Sequence, residues 1–445
     1  MIQQLLDRSF VLRHMKDFAG LLEKEIKLQQ QGDRKALDRK SKTGVSVADL
    51  QETIKRLDQT NAAEAGTPNT DPVFLSRQEV TSAAQSALQR VMLERRTDLV
   101  NSPGALRPGS DPITDISVTD DGGSDDLFTR FGPADLGWAS VLLALAVRGS
   151  RGPHPFNPNP APLCRIANNA RVILLADWGT GIPRARKVAA AARSFLEAAD
   201  AQGVEVHVIH LGDVYYSGWE SEYDEHFLPF WPVREDEAAR FGSWNLNANH
   251  DMYSGGYGYF DHLLSKPQFS RQGKSSFFRL ENDHWQILAL DTAHKDFALQ
   301  GNQAEWVAAC RREAAGKKAL LMSHHQPFSL YEETPPDIMD SLRNAKVFEG
   351  PPITGWFWGH EHRCVFYDSR DGIKYGRCVG HSGVPVFLTS AAAPRGVSYE
   401  FGDWLVGTMP KLARFGFVVL DFDGGRIHAQ YLNEDSVPHN LEDLS

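Results

Sequence analysis

"RVILLADWG" (residues 171–179) is followed by "PRARKVAAAARSFLEAADAQG" (183–203) and then by "VEVHVIHLGD" (204–213). The first and third stretches are apolar runs rich in β-branched residues, and each ends in an acid, Asp177 and Asp213. The middle stretch has helical spacing and stops at Gly203. Strand, helix, strand is the unit of an α/β sheet, and in open α/β sheets ligands bind at the carboxyl ends of the strands. The two acids stand at such ends.

The texture continues to the C-terminus. "SWNLNANHD" (243–251) reads as a third strand ending in Asn-His-Asp, and "FFRLENDHWQILALDT" (277–292) as a hairpin turning at Asn282–Asp283. "NQAEWVAACRREAAGK" (302–317) is a helix, and "KALLMSHHQPF" (318–328) is a strand ending in two histidines. "ITGWFWGHEH" (353–362) is a strand ending in His-x-His; "PVFLTSAAA" (385–393) and the hairpin "FGFVVLDFDGGRIHAQYL" (415–432) complete the pattern. The fold class is α/β, becoming β-rich towards the end.

Upstream the reading differs. Residues 1–30 place Leu5, Leu6, Phe10, Leu12, Met15, Phe18, Leu22 and Ile26 near helical periodicity, and shorter helical patterns follow near 46–58 and 78–99. Residues 101–126 are rich in Pro, Gly, Ser and Asp and read as linker. Residues 134–148 form another apolar helix after Pro133, and "RGSRGPHPFNPNPAP" (148–162) is a second stretch of helix breakers. A length of 445 residues suits two or three domains. The expected division is a mostly helical region at 1–160 and an α/β domain at 165–440.

The composition is globular, with 42% hydrophobic and 23% charged residues, and the net charge is −10. An acidic chain argues against a large sequence-independent nucleic-acid surface, which needs a basic face. The four cysteines form no Cys-x-x-Cys pair, a usage that reads as reduced and intracellular. The first residues scatter charges among apolar positions, unlike a signal peptide. The apolar run "GWASVLLALAV" (137–147) falls short of the ~20 residues a membrane span needs. The expectation is a cytoplasmic protein without a membrane segment. The leading helix is a candidate surface for a protein partner or for self-association, or else it packs on its own domain.

An acid at a strand end is commonly a cap or a turn residue, and a lone His-x-His is commonly an exposed pair. Here five strand ends carry such groups in one domain: Asp177, Asp213, Asn249 with His250, His324 with His325, and His360 with His362. Mixed oxygen and nitrogen donors suit Mn, Fe or Zn better than Ca. A carboxylate bridging two such ions about 3.5–4 Å apart is the arrangement used for phosphate chemistry.

The blocks "DWG" (177–179), "GDVYY" (212–216), "NHD" (249–251), "SHHQP" (323–327) and "GHEH" (359–362) resemble, in order and spacing, the calcineurin-like metallophosphoesterase superfamily, over roughly residues 168–435. Gly179 stands where the commonest pattern has a histidine, and Ala248 stands where glycine is usual. The Asp213-Val-Tyr-Tyr216 block is similar to purple acid phosphatases, which also have Asp-Trp-Gly and use the tyrosine as an iron ligand.

The resemblance implies a four-layer αββα sandwich holding two divalent or trivalent transition-metal ions (Fe, Mn or Zn). By it, Asp177, Asp213, Tyr216 and His362 hold the first ion, Asp213 bridges, and Asn249, His325 and His360 complete the second. His325 is preferred to His324 from its position before Pro327. His250 stabilises or protonates the leaving oxygen, with Asp251 orienting it. The implied reaction is hydrolysis of a small phosphate mono- or diester by a metal-held hydroxide. The alternatives are a nuclease of the same superfamily and a catalytically degenerate scaffold or binding protein.

Further candidates are weaker. His381, Arg363 and Arg395 follow or adjoin the last block as pocket-lining groups, although an exposed arginine paired with acid is the simpler reading of each arginine. Tyr257 and Tyr259 could stack on a substrate ring or simply pack in the interior. His210 reads as a core histidine, and Trp356 and Trp358 as core.

Overall fold

Val172 and Leu174 point to one side of their strand and Ile173 and Leu175 to the other, and both sides are buried in different apolar clusters. A strand with two dry faces must lie inside a layered structure, as the near-continuous apolar runs require. In the computed structural model, described at residues 152–331, 334–386, 388, 393–405 and 413–445, at scattered positions between 19 and 58, and at 144 and 148, two sheets pack face to face between outer layers of helix.

One sheet has six strands in the order β14-β13-β12-β2-β3-β4: Pro438–Leu444, Arg426–Asn433, Gly416–Asp423, Arg171–Leu175, Val206–His210 and Gly242–Asn245. Strands β2, β3 and β4 run parallel, and β12 joins β2 antiparallel. The other sheet has eight strands in the order β1-β5-β6-β7-β8-β10-β9-β11: Cys164–Arg165, Phe278–Glu281, Trp285–Leu290, Lys318–Ser323, Ile353–Trp358, Ile373–Val379, Cys364–Tyr367 and Val397–Glu400. Strands β6, β7, β8 and β10 are mutually parallel.

Between the sheets lie Val172, Leu174, Ile209, Leu211, Trp244, Ile287, Leu320, Met322 and Phe357. Helix α1 (Pro183–Asp200) covers the outer face of the six-stranded sheet with Ala185, Val188, Ala192 and Leu196. Helices α3 (Gln303–Glu313) and α4 (Asp337–Asn344) cover the outer face of the other sheet, where Val307, Ile338 and Leu342 meet Leu321, Trp356 and Trp358. This is the αββα sandwich. Helix α2 (Asn249–Tyr253) is a short turn of helix that starts in the loop after β4.

The strands expected from 171, 204, 243, 277, 318, 353 and 415 onward all form. Strands β10, β11 and β14 and helix α4 were not foreseen, because their charged and polar residues interrupt the apolar pattern, and β9 is only four residues long. The segment 385–393 is not a strand at its described positions. Residues 19, 20 and 22–30 are helical, as are the described positions from 47 to 58. The stretches 78–99 and 101–126 and most of 134–148 lie outside the described residues. Residues 152–163 lie against the sandwich: the Ala161 amide donates to the Phe277 carbonyl at 3.0 Å, and the His154 ring stacks on Phe260 with centroids 4.6 Å apart.

Candidate metal centre

The expected site residues gather at the carboxyl ends of β2, β3, β4, β7 and β8, because parallel strands deliver all of those ends to one edge of the sandwich. Asp177, Asp213, His360 and His362 all have positive φ (55°, 80°, 67° and 51°), a conformation that side-chain-bearing residues rarely adopt. Four such residues around one point mark a functional cluster, where packing holds the strain.

Two groups of donors stand side by side. Asp177, Asp213 and His362 form one, and His324, His325 and His360 the other, each with its ligand atoms within 4.8 Å of one another. Asp213 faces both. Its Oδ2 accepts a hydrogen bond from the Tyr215 hydroxyl at 2.6 Å, and its Oδ1 lies 3.6 Å from His324 Nε2. Asn249 Oδ1 lies 2.9 Å from His324 Nε2 and 3.2 Å from His360 Nδ1. The His360 amide donates to both oxygens of Asp177, at 3.1 and 2.9 Å. The backbone closes tightly here: a Cβ on Gly380 would sit 2.4 Å from Asp177 Oδ2, so only glycine leaves that carboxylate room.

The electrostatics favour a cation. Burial, and then the neighbouring Asp213, push the Asp177 carboxyl well above the usual range. Burial would raise Asp213 as well, but His324, His250, Tyr215 and His360 outweigh it and hold it low. His360 is pushed well below the ordinary imidazole range by burial and by His325 and His324, and burial brings His324 to about 4. Neutral imidazoles beside crowded buried carboxylates are the form in which these side chains bind metal. His324 Nδ1 donates to the Leu211 carbonyl at 3.0 Å, which leaves Nε2 as the ligand atom facing the cluster. The residues present fit a pair of transition-metal ions.

Two expected roles fall to other groups, and a third gains a neighbouring ligand. The phenol brought to the carboxylates belongs to Tyr215, one residue before Tyr216. Gly179 pairs with Val214, and Val214 packs into the outer core, so side-chain alternation turns Tyr215 inward. Its hydroxyl lies 3.1 Å from His362 Nε2 and 3.5 Å from Asp177 Oδ1. Tyr216 contributes backbone: its carbonyl accepts from His250 Nδ1 at 2.7 Å.

At the end of β7 His324 stands between Asp213 and Asn249, and His325 lies beside it in the same donor group. Leu320 and Met322 face the inter-sheet core, and alternation carries His324 to the same side. His325 turns to Thr292 Oγ1 at 3.1 Å and Asp296 Oδ1 at 3.2 Å, beneath the Phe297 ring.

Asp251 does not orient His250. It accepts the amides of Asp213 at 3.0 Å and Ala248 at 2.9 Å and the Tyr223 hydroxyl, so it anchors the backbone beneath both ligand segments. Burial and then Asp213 push its carboxyl up to about 8.

Of the weaker candidates, Tyr259 is buried and donates to the Asn245 carbonyl, a core role. Arg363 lies 3.4 Å from Glu400 and over the Tyr331 ring. His210 is a core histidine, Nδ1 beside Asn245 and burial lowering it to about 3. Thr292, Asp296 and Phe297 at the site carried no sequence signal, because no motif spacing links them to the ligand blocks.

Residues 170–364 match the family model of the calcineurin-like phosphoesterases, a span that includes all five sequence blocks. No curated protein matches the chain. Among solved structures, the chain is similar to GAP50, the anchor in the inner membrane complex of Plasmodium (10% identity, TM-score 0.42, covering 62% of this chain and 89% of that one). It is also similar to a predicted phosphoesterase from Streptococcus pneumoniae (11% identity, TM-score 0.25) and to Vps29 from Entamoeba histolytica (12% identity, TM-score 0.25), each covering 62% of this chain and 98% of the other. No helix among the described residues is long and apolar enough to cross a membrane. Over residues 170–364 the chain carries a calcineurin-like phosphoesterase domain.

Proposed function

We propose that this domain hydrolyses small phosphate esters at a dinuclear metal centre. Asp177, Asp213, His362 and the Tyr215 phenol would hold one ion, and Asp213, Asn249, His324 and His360 the other. The observation that carries the reading is the two-sided Asp213 carboxylate, with one oxygen on each donor group. When bound, the ions would supply Lewis-acid polarisation of the phosphoryl oxygens and activation of a water. His250 donates through Nδ1 to the Tyr216 carbonyl, which orients the ring that would exchange a proton with the leaving oxygen. Asp251 and Tyr223 keep the Asp213 backbone in place while charge changes around it. The expected cytoplasmic setting keeps diesters such as cyclic nucleotides in play beside monoesters.

The test is hydrolysis of bis(p-nitrophenyl) phosphate and p-nitrophenyl phosphate by manganese- or iron-loaded protein, with Asp213→Asn as the blank. Diester turnover lost in the variant establishes a phosphodiesterase, and monoester turnover alone a phosphatase. Silence together with failure to retain metal would overturn the catalytic reading in favour of a scaffold.

A further inference from the structure

Outside this centre lies a second group of metal-type donors. Cys364 Sγ and one ring nitrogen each of His381 and His439 lie within 4.8 Å of one another. The three come from distant parts of the fold. Cys364 opens β9 in the eight-stranded sheet, His381 lies in the loop after β10, and His439 lies in β14 at the edge of the other sheet.

Each imidazole is oriented through Nδ1. His381 Nδ1 donates to the Val379 carbonyl at 3.1 Å, and His439 Nδ1 lies 2.9 Å from the Tyr399 hydroxyl. The Nε2 atoms of both rings are buried without a hydrogen-bond partner among the described residues, and His381 is only 4% exposed. Two orphaned buried nitrogens beside a buried thiol are costly unless something binds them. Burial keeps both rings neutral, with His381 brought down to about 4 and His439, also next to His381, to about 3.

The backbone is shaped to this point. The β13–β14 register slips between Tyr431 and Leu432, so His439 is the extra residue of a bulge, a device that re-aims a side chain. The Phe401 ring stacks on His439 at 3.7 Å and holds its plane. A Cβ on Gly416 would sit 2.5 Å from His381 Nε2, so glycine keeps that wall open.

We propose that Cys364, His381 and His439 form a mononuclear site for Zn2+ that staples the two sheets together beside the phosphoesterase centre. One thiolate and two imidazoles are a soft-to-borderline donor set that selects zinc over the harder ions suited to oxygen ligands. At Zn–S and Zn–N distances of about 2.3 and 2.0–2.1 Å, the donors would draw in by roughly an ångström. The bound thiol gives up its proton to solvent as the metal–sulfur bond forms. The proposal does not depend on the phosphoesterase reading, whose donors include no sulfur.

The test is cobalt substitution of the full-length protein. A thiolate-to-cobalt charge-transfer band can arise only where a cysteine is a ligand, so it separates this site from the dinuclear centre. The expected result is a band of one equivalent per chain, displaced by zinc, absent in Cys364→Ser and in His439→Gln, and retained in Asp213→Asn. His439→Gln, at the sheet edge, covers the case in which the buried cysteine variant fails to fold. A wild-type protein whose dinuclear centre fills with cobalt without any thiolate band would overturn the proposal. So would a band that survives in Cys364→Ser.

Discussion

The Tyr215 hydroxyl donates to Asp213 Oδ2 at 2.6 Å and, from the same position, lies 3.1 Å from His362 Nε2. One phenol therefore touches a carboxylate and an imidazole that arrive from different sheets. In iron-loaded protein the Tyr215 phenol would be the tyrosine that holds the metal. Tyr215→Phe is expected to lose any visible tyrosinate-to-iron absorption and to lower metal affinity or activity about 10–100-fold. Tyr216→Phe keeps the colour. Absorption that disappears in Tyr216→Phe and persists in Tyr215→Phe would reverse the assignment.

His324 and His325 are adjacent in sequence and differ in what they face. His324→Ala removes the imidazole between Asp213 and Asn249 and is expected to weaken retention of the second ion about 10–100-fold. His325→Ala loses the contacts to Thr292 and Asp296 and is expected to retain both ions. Metal content after dialysis against a weak chelator distinguishes the two. Equal losses would show that both rings bind.

Arg184 on α1 pairs with Glu434 in a setting where both side chains are 2% exposed: Nη2 donates to Oε2 at 2.7 Å and Nε to Oε1 at 3.2 Å, over the Phe415 ring. Removing one partner strands the other charge in the interior. Arg184→Ala is expected to cost about 3–5 kcal/mol in urea unfolding, and Arg184→Ala with Glu434→Ala less than the sum of the two single changes. Additive losses would mean the pair is not coupled.

His210 sits fully buried on β3, and its folded-state pKa is lowered to about 3, first by burial. The unfolded chain binds the proton more readily, so stability is intact above about pH 6.5 and falls as pH drops towards 3. At pH 5 this group alone is expected to remove roughly 2 kcal/mol. The unfolding free energy of His210→Gln should depend less steeply on pH between 6.5 and 4. An unchanged slope in the variant would assign the acid sensitivity to other groups.

Much of this molecule was legible before folding. The mostly apolar runs ending in Asp177 and Asp213 marked buried strands, because burial on both faces favours apolar side chains along most of their length. The five blocks carried the family resemblance, and parallel strands bring their carboxyl ends, with those blocks, to one edge of the sandwich. What the sequence could not decide was which of two neighbours turns inward. Tyr215 over Tyr216, and His324 over His325, follow from side-chain alternation once Val214 and Met322 are seated in their layers, and that register exists only when both sheets are packed. The cluster of Cys364, His381 and His439 lay equally out of reach. No spacing joins the three residues, and only the closure of one sheet on the other, with a bulge at His439, brings a thiol and two imidazoles to one point.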